Sequence, residues 1–139
     1  MLASVLALTS LTACGNDSGS TGGSDSGSEA SSGSETFKIG GNGPTTGDAA
    51  AYGIAVQNGA QLAVDEINAD GGINGVQIEF QFEDDQSDSE KSVNAYNTLK
   101  DWGMQMLVGT VTSNPCTAVV EETHNDNMFQ LTPSATAVE

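Results

Sequence analysis

Cys116, within "GTVTSNPCT" (109–117), and the only histidine, His124, are the residues best suited to covalent chemistry. A cysteine nucleophile needs a base within hydrogen-bond reach. The two residues are eight positions apart on one predicted helix (114–125). A rise of about 1.5 Å per residue then separates them by about 12 Å. They cannot form a catalytic dyad, so a Cys hydrolase is the least favoured function and we expect no enzyme.

Hydroxyl groups cluster in the same stretch and again in "TPSAT" (132–136). Ser113 and Asn114 precede a helix whose first N–H groups have no partner and whose dipole is positive at that end. Such an arrangement binds a carboxylate without a basic side chain. The alternative is simple N-capping by Ser113 or Asn114. Capping does not explain the second hydroxyl cluster, which contains Ser134 and Thr136.

Two other stretches resemble known sites only in part. The segment "GGNGPTTGD" (40–48) lacks the Lys-Ser/Thr pair and the glycine spacing of nucleotide-binding loops, which favours a turn close to a ligand. Asp84, Asp85 and Asp88 lack the glycine and distal glutamate of a calcium loop. They favour a solvated loop and an acid-rich helix start. We therefore expect neither a cofactor nor a metal.

The charge of the chain narrows the class of partner. The 139 residues include 19 acidic residues and only three lysines or arginines, all lysines, for a net charge of −16. Nucleic acid is therefore excluded as an expected partner, because phosphate contacts need clustered Lys and Arg. Such acidity suits a soluble, extracytoplasmic surface.

The N-terminus predicts export. Residues 1–13 are apolar and uncharged, as in a signal peptide, and the missing positive segment predicts a start further upstream. "LTAC" (11–14) resembles a bacterial lipobox, so we expect Cys14 to be lipidated. Residues 14–36 are rich in Gly, Ser and acids, which predicts a flexible tether on the outer face of the cytoplasmic membrane.

The remaining chain (37–139) alternates predicted strands and helices, which indicates an α/β fold with a doubly wound, Rossmann-like parallel sheet. The chain looks incomplete, because such a lobe usually continues. The predicted strands are 37–42, 76–82, 104–109 and 128–132, and the predicted helices are 48–70, 87–102 and 114–125. Ligands of such sheets lie beyond the carboxyl ends of the strands, where the polar stretches above collect.

Periodicity predicts which side chains are buried. The first helix should bury one stripe and the second strand one face, while the second helix should start with a capping box from Ser87 to Glu90. The predicted buried sets are Val56, Ala60, Ala63 and Ile67 in the first helix, Val76, Ile78, Phe80 and Phe82 in the second strand, and Val93, Tyr96 and Leu99 in the second helix.

The folded part resembles the solute-binding lipoproteins of ABC importers of the branched-chain amino-acid (Leu/Ile/Val) type, which have the type I periplasmic binding fold. Four stretches carry the resemblance, in family order: "KIGGNGPTTGDAAAYG" (38–53), "GAQLAVDEINADGGINGVQIEFQFEDDQSD" (59–88), "LVGTVTSNPCTA" (107–118) and "LTPSATAVE" (131–139). The resemblance implies two lobes closing over an amino-acid-like ligand and an ABC permease as partner. It matches this chain to most of lobe one.

The resemblance also implies site residues. The ligand head group would be held by two loops matching Thr112-Ser113 and Ser134-Ala135-Thr136. The Ser113 and Thr136 hydroxyls would contact it, and the Ser134 carbonyl would accept from its ammonium group. Backbone N–H groups of these loops would be further donors. Tyr52 would cover the ligand.

Some members of that family carry a disulfide whose positions match Ser87 and Thr112, so that bridge is missing here. The resemblance leaves the ligand open, since relatives bind amides, urea or aromatic acids. It also leaves a second function open, a ligand-sensing module of the same fold in a receptor.

Overall fold

The computed structural model describes residues 36–137. The predicted signal peptide, Cys14 and almost all of the predicted tether lie outside the described residues, as do positions 138 and 139. The elements are β1 (Phe37–Gly43), α1 (Ala50–Ala69), β2 (Ile78–Asp84), α2 (Ser89–Trp102), β3 (Met106–Gly109), α3 (Ser113–Asn125) and β4 (Phe129–Leu131).

The four strands form one parallel sheet in the order β2-β1-β3-β4, as the alternation predicts. The order reverses next to β1, because β2 lies on one side of it and β3 on the other. Right-handed crossovers therefore place α1 on one face of the sheet and α2 and α3 on the other. The carboxyl ends of all four strands lie at one edge, which we call the carboxyl edge.

The core lies between the sheet and α2 with α3. Tyr96 and Leu99 of α2, Leu107 of β3 and Val119 of α3 are fully buried there. Val93 packs against this cluster, so the predicted buried face of α2 is confirmed. The helix ends where Gly103 takes a left-handed conformation, with φ of 94°, that few other residues adopt easily.

Helix α1 buries the predicted stripe except at one position. Its buried residues are Gly53 and Val64, and Val56, Ala60 and Ile67 are half-buried, whereas Ala63 is exposed. The prediction was wrong by one position, because Val64 and not Ala63 continues the row that starts at Gly53. Gly53 is needed at the start of this row, since a Cβ atom there would collide with the Pro44 carbonyl.

Two predicted boundaries were also wrong. Val76 pairs with Ile73 in a tight turn and is 38% exposed, so β2 starts later, at Ile78. The N-cap of α2 is Asp88, whose carboxylate accepts from the Lys91 N–H at 2.9 Å. Ser87 cannot cap the helix, because it lies one residue outside it in a left-handed conformation.

The face of the sheet that carries α1 is open beside β4. Phe129 and Leu131 point to this face and are 62% and 52% exposed. Their neighbour Gln130 faces α3 and bonds Thr123 at 3.0 Å. Within residues 36–137, no helix has the length and apolarity to span a bilayer.

Candidate ligand-binding site

The amino end of α3 lies at the carboxyl edge without a side-chain cap. Thr112 occupies the N-cap position with an extended backbone, and its side chain makes no capping hydrogen bond. The alternative of simple N-capping by Ser113 or Asn114 does not hold, because both are already helical residues. The first N–H groups of a helix have no intrahelical acceptor. This end of α3 therefore presents donors and a positive partial charge to the edge.

Two loops at this edge, the hydroxyl loops (residues 110–113 and 132–136), are hydrogen-bonded to each other. The Thr136 N–H donates to Ser113 Oγ at 3.1 Å, and Ser134 Oγ donates to the Val111 carbonyl at 2.6 Å. Thr132 Oγ1 donates to the Thr110 carbonyl at 2.8 Å. The structure thus brings together the two segments that the resemblance implied.

These bonds decide which groups remain for a ligand. The Ser134 hydroxyl proton is used within the protein, and so is the Thr136 N–H. The Thr136 N–H is therefore not among the further backbone donors that the resemblance implied. The Ala135 N–H is also used, since it donates to Thr132 Oγ1 at 3.0 Å. Ser113 Oγ accepts the Thr136 bond, which leaves its own proton to donate.

A cavity of about 220 Å³ opens beside the start of α3. Its lining residues are Ser87, Thr112, Ser113, Asn114 and Pro115. Thr112 Oγ1 lies 3.4 Å from Ser87 Oγ across it. The two positions that the resemblance matched to a disulfide are therefore neighbours, and they join the loop after β2 to the loop after β3.

Tyr52 is the one predicted site residue that belongs to α1. It is in the first turn of α1 and its side chain is 67% exposed. It lines neither the cavity at Ser113 nor the larger one, of about 430 Å³, between α3 and residues 132–137. The described residues make no hydrogen bond to its side chain.

The loop after β2, the acidic loop (residues 84–88), begins with a carboxylate that organises two segments. Asp84 accepts from the N–H groups of Thr45, Thr46 and Gln86, at 2.8, 3.4 and 3.0 Å, and from the Thr46 hydroxyl. Burial acts to raise the pKa of Asp84, but these hydrogen bonds outweigh it and hold the pKa below its usual value. Asp84 thus fixes the segment between β1 and α1.

The next residue, Asp85, is fully buried. The prediction of a solvated loop was wrong for this residue. Strand alternation continues one position past β2 and turns Asp85 under α2, opposite to Asp84. Its Oδ1 accepts from the Ser87 N–H at 2.8 Å. Burial raises the pKa of Asp85, and the bonds from Ser87 and Ser92 only partly offset this.

The candidate nucleophile and base are both on α3. Cys116 is half-buried near its first turn and His124 is exposed in its last turn. The nearest polar partner of the thiol is Gln130, whose Nε2 lies 3.6 Å from Sγ. Among residues 36–137, no three His, Cys, Asp or Glu side chains are grouped to hold a metal ion.

A profile of periplasmic binding proteins matches residues 36–139. This chain belongs to the periplasmic binding protein family. The family consists of binding proteins and not of enzymes, and membership implies an extracytoplasmic location.

Relatives of this chain within the family have names that state the amino acids they bind. The chain is 42% identical over 94 residues to a Leu/Ile/Val-binding protein of Rhizobium johnstonii, which covers 68% of this chain and 26% of the relative. It is 36% identical over 105 residues to a leucine-, isoleucine-, valine-, threonine- and alanine-binding protein of Pseudomonas aeruginosa, covering 76% and 28%. The chain thus spans about a quarter of the length of these relatives.

A solved structure of a family member has the same fold. The branched-chain amino acid transporter substrate-binding protein LivJ of Streptococcus pneumoniae, in complex with isoleucine, superposes with a TM-score of 0.70 at 41% identity. The match covers 74% of this chain and 30% of LivJ. The α/β sheet described above is therefore a lobe of a type I periplasmic binding protein, and the chain is part of one.

Proposed function

We propose that this chain is part of the solute-binding component of an ABC importer that captures a branched-chain or related small amino acid. Two relatives are named for binding such amino acids, and LivJ was solved with isoleucine. The observation that carries the proposal is the uncapped start of α3 beside the Ser113–Thr136 bond. A ligand carboxylate there needs no basic side chain, because the helix supplies the donors.

Each group at this site has a role in the proposal. The ligand carboxylate accepts from the Ser113 hydroxyl and from the free N–H groups at the start of α3. The ammonium group donates to the Ser134 carbonyl, beside Ala135. Thr112 and the Thr136 hydroxyl border the head group, and Tyr52 covers the ligand from α1. A second lobe, outside this chain, closes over the ligand by hinge motion.

The mature protein in this proposal is exported and anchored by a lipid on Cys14, with residues 14–36 as tether. Its partners are a small amino-acid-like ligand and the ABC permease. The proposal needs no cofactor and no chemical step, and the lipid is its only contact with the membrane.

The test is calorimetry of the full-length protein with leucine, isoleucine and valine. Ser113→Ala combined with Thr136→Ala should weaken binding by about tenfold to a hundredfold, because a hydrogen bond to a charged group contributes about 1.5–3 kcal/mol. Thr98→Ala is the matched control, since Thr98 is an exposed hydroxyl of α2 bonded only to the Asn94 carbonyl. Unchanged affinity in the double variant would refute the site.

A further inference from the structure

We infer that Asp85 is a positioning residue that holds a proton beneath α2 and couples proton uptake to ligand affinity at the start of α3. The inference rests on the proposed function for its ligand but not for its proton. It follows from three features of the described residues: a buried polar cluster, two unpartnered oxygen atoms in it, and a bonded connection to the site.

The cluster consists of Asp85, Asn42 and Ser92, all with no exposed surface. Asn42 Nδ2 donates to the Ser92 carbonyl at 3.0 Å and to Ser92 Oγ at 3.1 Å. The Ser92 hydroxyl acts to lower the pKa of the Asp85 carboxyl. Ser92 of α2 is therefore bonded to the end of β1 and also influences the acidic loop.

Two oxygen atoms of this cluster have no hydrogen-bond partner, Asn42 Oδ1 and Asp85 Oδ2. Both are acceptors when Asp85 is ionised, so neither can satisfy the other. Leaving such a group unsatisfied costs about 1–3 kcal/mol, and more for a charged one. A proton on Asp85 Oδ2 removes the buried charge and changes this atom into a donor. The neutral acid therefore suits the cluster better than the carboxylate.

The charges that face Asp85 act in the same direction. Asp84 and Asp88, on either side in the acidic loop, both disfavour its ionised form. The nearby cation of α2, Lys91, bonds Gln86 with its ammonium group and does not pair with Asp85. The buried polar residues of β1 and α2 in this cluster, Asn42 and Ser92, are neutral.

Asp85 reaches the site through Ser87. Its Oδ1 accepts from the Ser87 N–H at 2.8 Å, and its carbonyl accepts from the Asp88 N–H at 2.9 Å. Ser87 has a φ of 59°, which is uncommon for a residue with a side chain and needs such support. In this conformation Ser87 Oγ lies 3.4 Å from Thr112 Oγ1 and lines the cavity with Ser113.

The direction of the coupling follows from burial. A neutral Asp85 stays beneath α2 and holds Ser87 against Thr112. An ionised Asp85 is drawn toward water, which loosens the acidic loop from the start of α3. Ligand affinity should therefore fall as pH rises through the pKa of Asp85. One linked proton limits the change to about tenfold per pH unit.

The experiment measures leucine affinity of the full-length protein by calorimetry between about pH 5 and about pH 7, where the charge of a zwitterionic amino acid changes little. His124→Gln is made in every protein, so that none of them contains a histidine. The leucine affinity of the wild type should fall as pH rises. Asp85→Asn, an isostere of the neutral acid, should keep the affinity of the lower pH throughout.

Asp88→Asn is the matched control, because it removes one charge three residues away and asparagine caps a helix as well as aspartate. Its affinity should still fall with rising pH, but at a lower pH than in the wild type, because the Asp88 charge no longer disfavours the ionised form of Asp85. A wild-type affinity that is constant with pH would overturn the coupling, and so would an Asp85→Asn profile that follows the wild type.

Thermal unfolding of the same proteins without ligand tests the proton alone. A raised folded-state pKa gives stability that is present below the usual value of 3.8 and is lost as pH rises through the folded pKa. The wild type should therefore lose stability relative to Asp85→Asn as pH rises. If leucine, isoleucine and valine all fail to bind but this loss of stability is seen, the proposed function is refuted, whereas the inference that Asp85 holds a proton is supported. If the stabilities of the wild type and Asp85→Asn change with pH in parallel, the inference that Asp85 holds a proton is overturned.

Discussion

The acidic loop and the hydroxyl loops lie side by side at the carboxyl edge, but they use their polar groups differently. In the acidic loop, Asp84 accepts four hydrogen bonds from its own and a neighbouring segment, and Asp85 is buried. The hydroxyl loops carry no charged side chain. Their internal bonds leave the start of α3 uncapped. The two regions meet at the contact of Ser87 with Thr112.

This difference separates support from binding. A carboxylate at the start of α3 would compete with an anionic ligand, and the carboxylates are instead bonded to backbone N–H groups one loop away. A neutral hydroxyl can donate a hydrogen bond to an anionic ligand group or accept one from a cationic ligand group, and free N–H groups add donors. The acidic loop is thus expected to contribute mainly to stability, and the hydroxyl loops mainly to affinity.

The largest expected effect comes from joining the two regions covalently. Ser87→Cys with Thr112→Cys places two thiols where hydroxyl oxygens are 3.4 Å apart, 25 positions apart in sequence. A disulfide closing such a loop should raise the free energy of unfolding by about 3 kcal/mol. Urea unfolding of the oxidised and reduced full-length protein, with Cys14 and Cys116 replaced by alanine, measures this difference.

The single variant Ser87→Cys is the control for that experiment, since it cannot close the loop. Oxidation should leave its unfolding unchanged. If the double variant fails to form the bond under mild oxidation, the two loops are not neighbours and the comparison between them loses its basis.

The next effect tests the acidic loop as a support. Asp84→Ala removes the acceptor of three N–H groups and one hydroxyl, and should lower the free energy of unfolding by about 2–3 kcal/mol. Glu83→Ala is the matched control, because Glu83 is one position earlier and its only side-chain bond is from Gln81 at 2.9 Å. Equal losses in the two variants, measured by urea unfolding, would contradict the role of Asp84.

The hydrophobic periodicity of the sequence made most of the fold predictable. The candidate site was less predictable, because it depends on local hydrogen bonds. The parallel sheet followed from the alternation of elements, and the buried face of α2 followed from Tyr96 and Leu99. One position of the α1 stripe was wrong because Ala63 and Val64 both fit a helical row and only packing on the sheet decides between them. A close contact such as Gly53 on Pro44 is invisible in the sequence.

In the candidate site, the sequence predicted that these two loops lie together but did not predict their hydrogen bonds. The carboxyl-edge rule brings Ser113 and Thr136 to the same place, but it does not tell which N–H is already used. Asp85 was missed because a run of acids is typical of a solvated loop. A usable signal existed: the alternation of β2, continued by one residue, predicts that Asp85 faces α2.

A smaller effect distinguishes two serines within the hydroxyl loops. Ser134→Ala leaves the Val111 carbonyl without its 2.6 Å partner, which should cost about 1 kcal/mol of unfolding free energy. Leucine affinity should change less than in Ser113→Ala, because the proposed ligand contact at Ser134 is its carbonyl. Urea unfolding and calorimetry of both variants test this. A larger affinity loss at Ser134 than at Ser113 would reverse their assigned roles.

The smallest expected effect is the pH dependence of the stabilisation that Asp84 provides. Hydrogen bonds hold the folded-state pKa of Asp84 below the usual 3.8, so its stabilisation is present above that value and is lost as pH falls through the folded pKa. Asp84→Asn lacks this titration, and its deficit in unfolding midpoint should be constant near neutral pH and shrink below about pH 4. Glu83→Gln controls for the loss of one charge. A deficit that does not shrink in acid would show that Asp84 supports the loop through its shape alone, and the contrast between a charged support and a neutral site would fail.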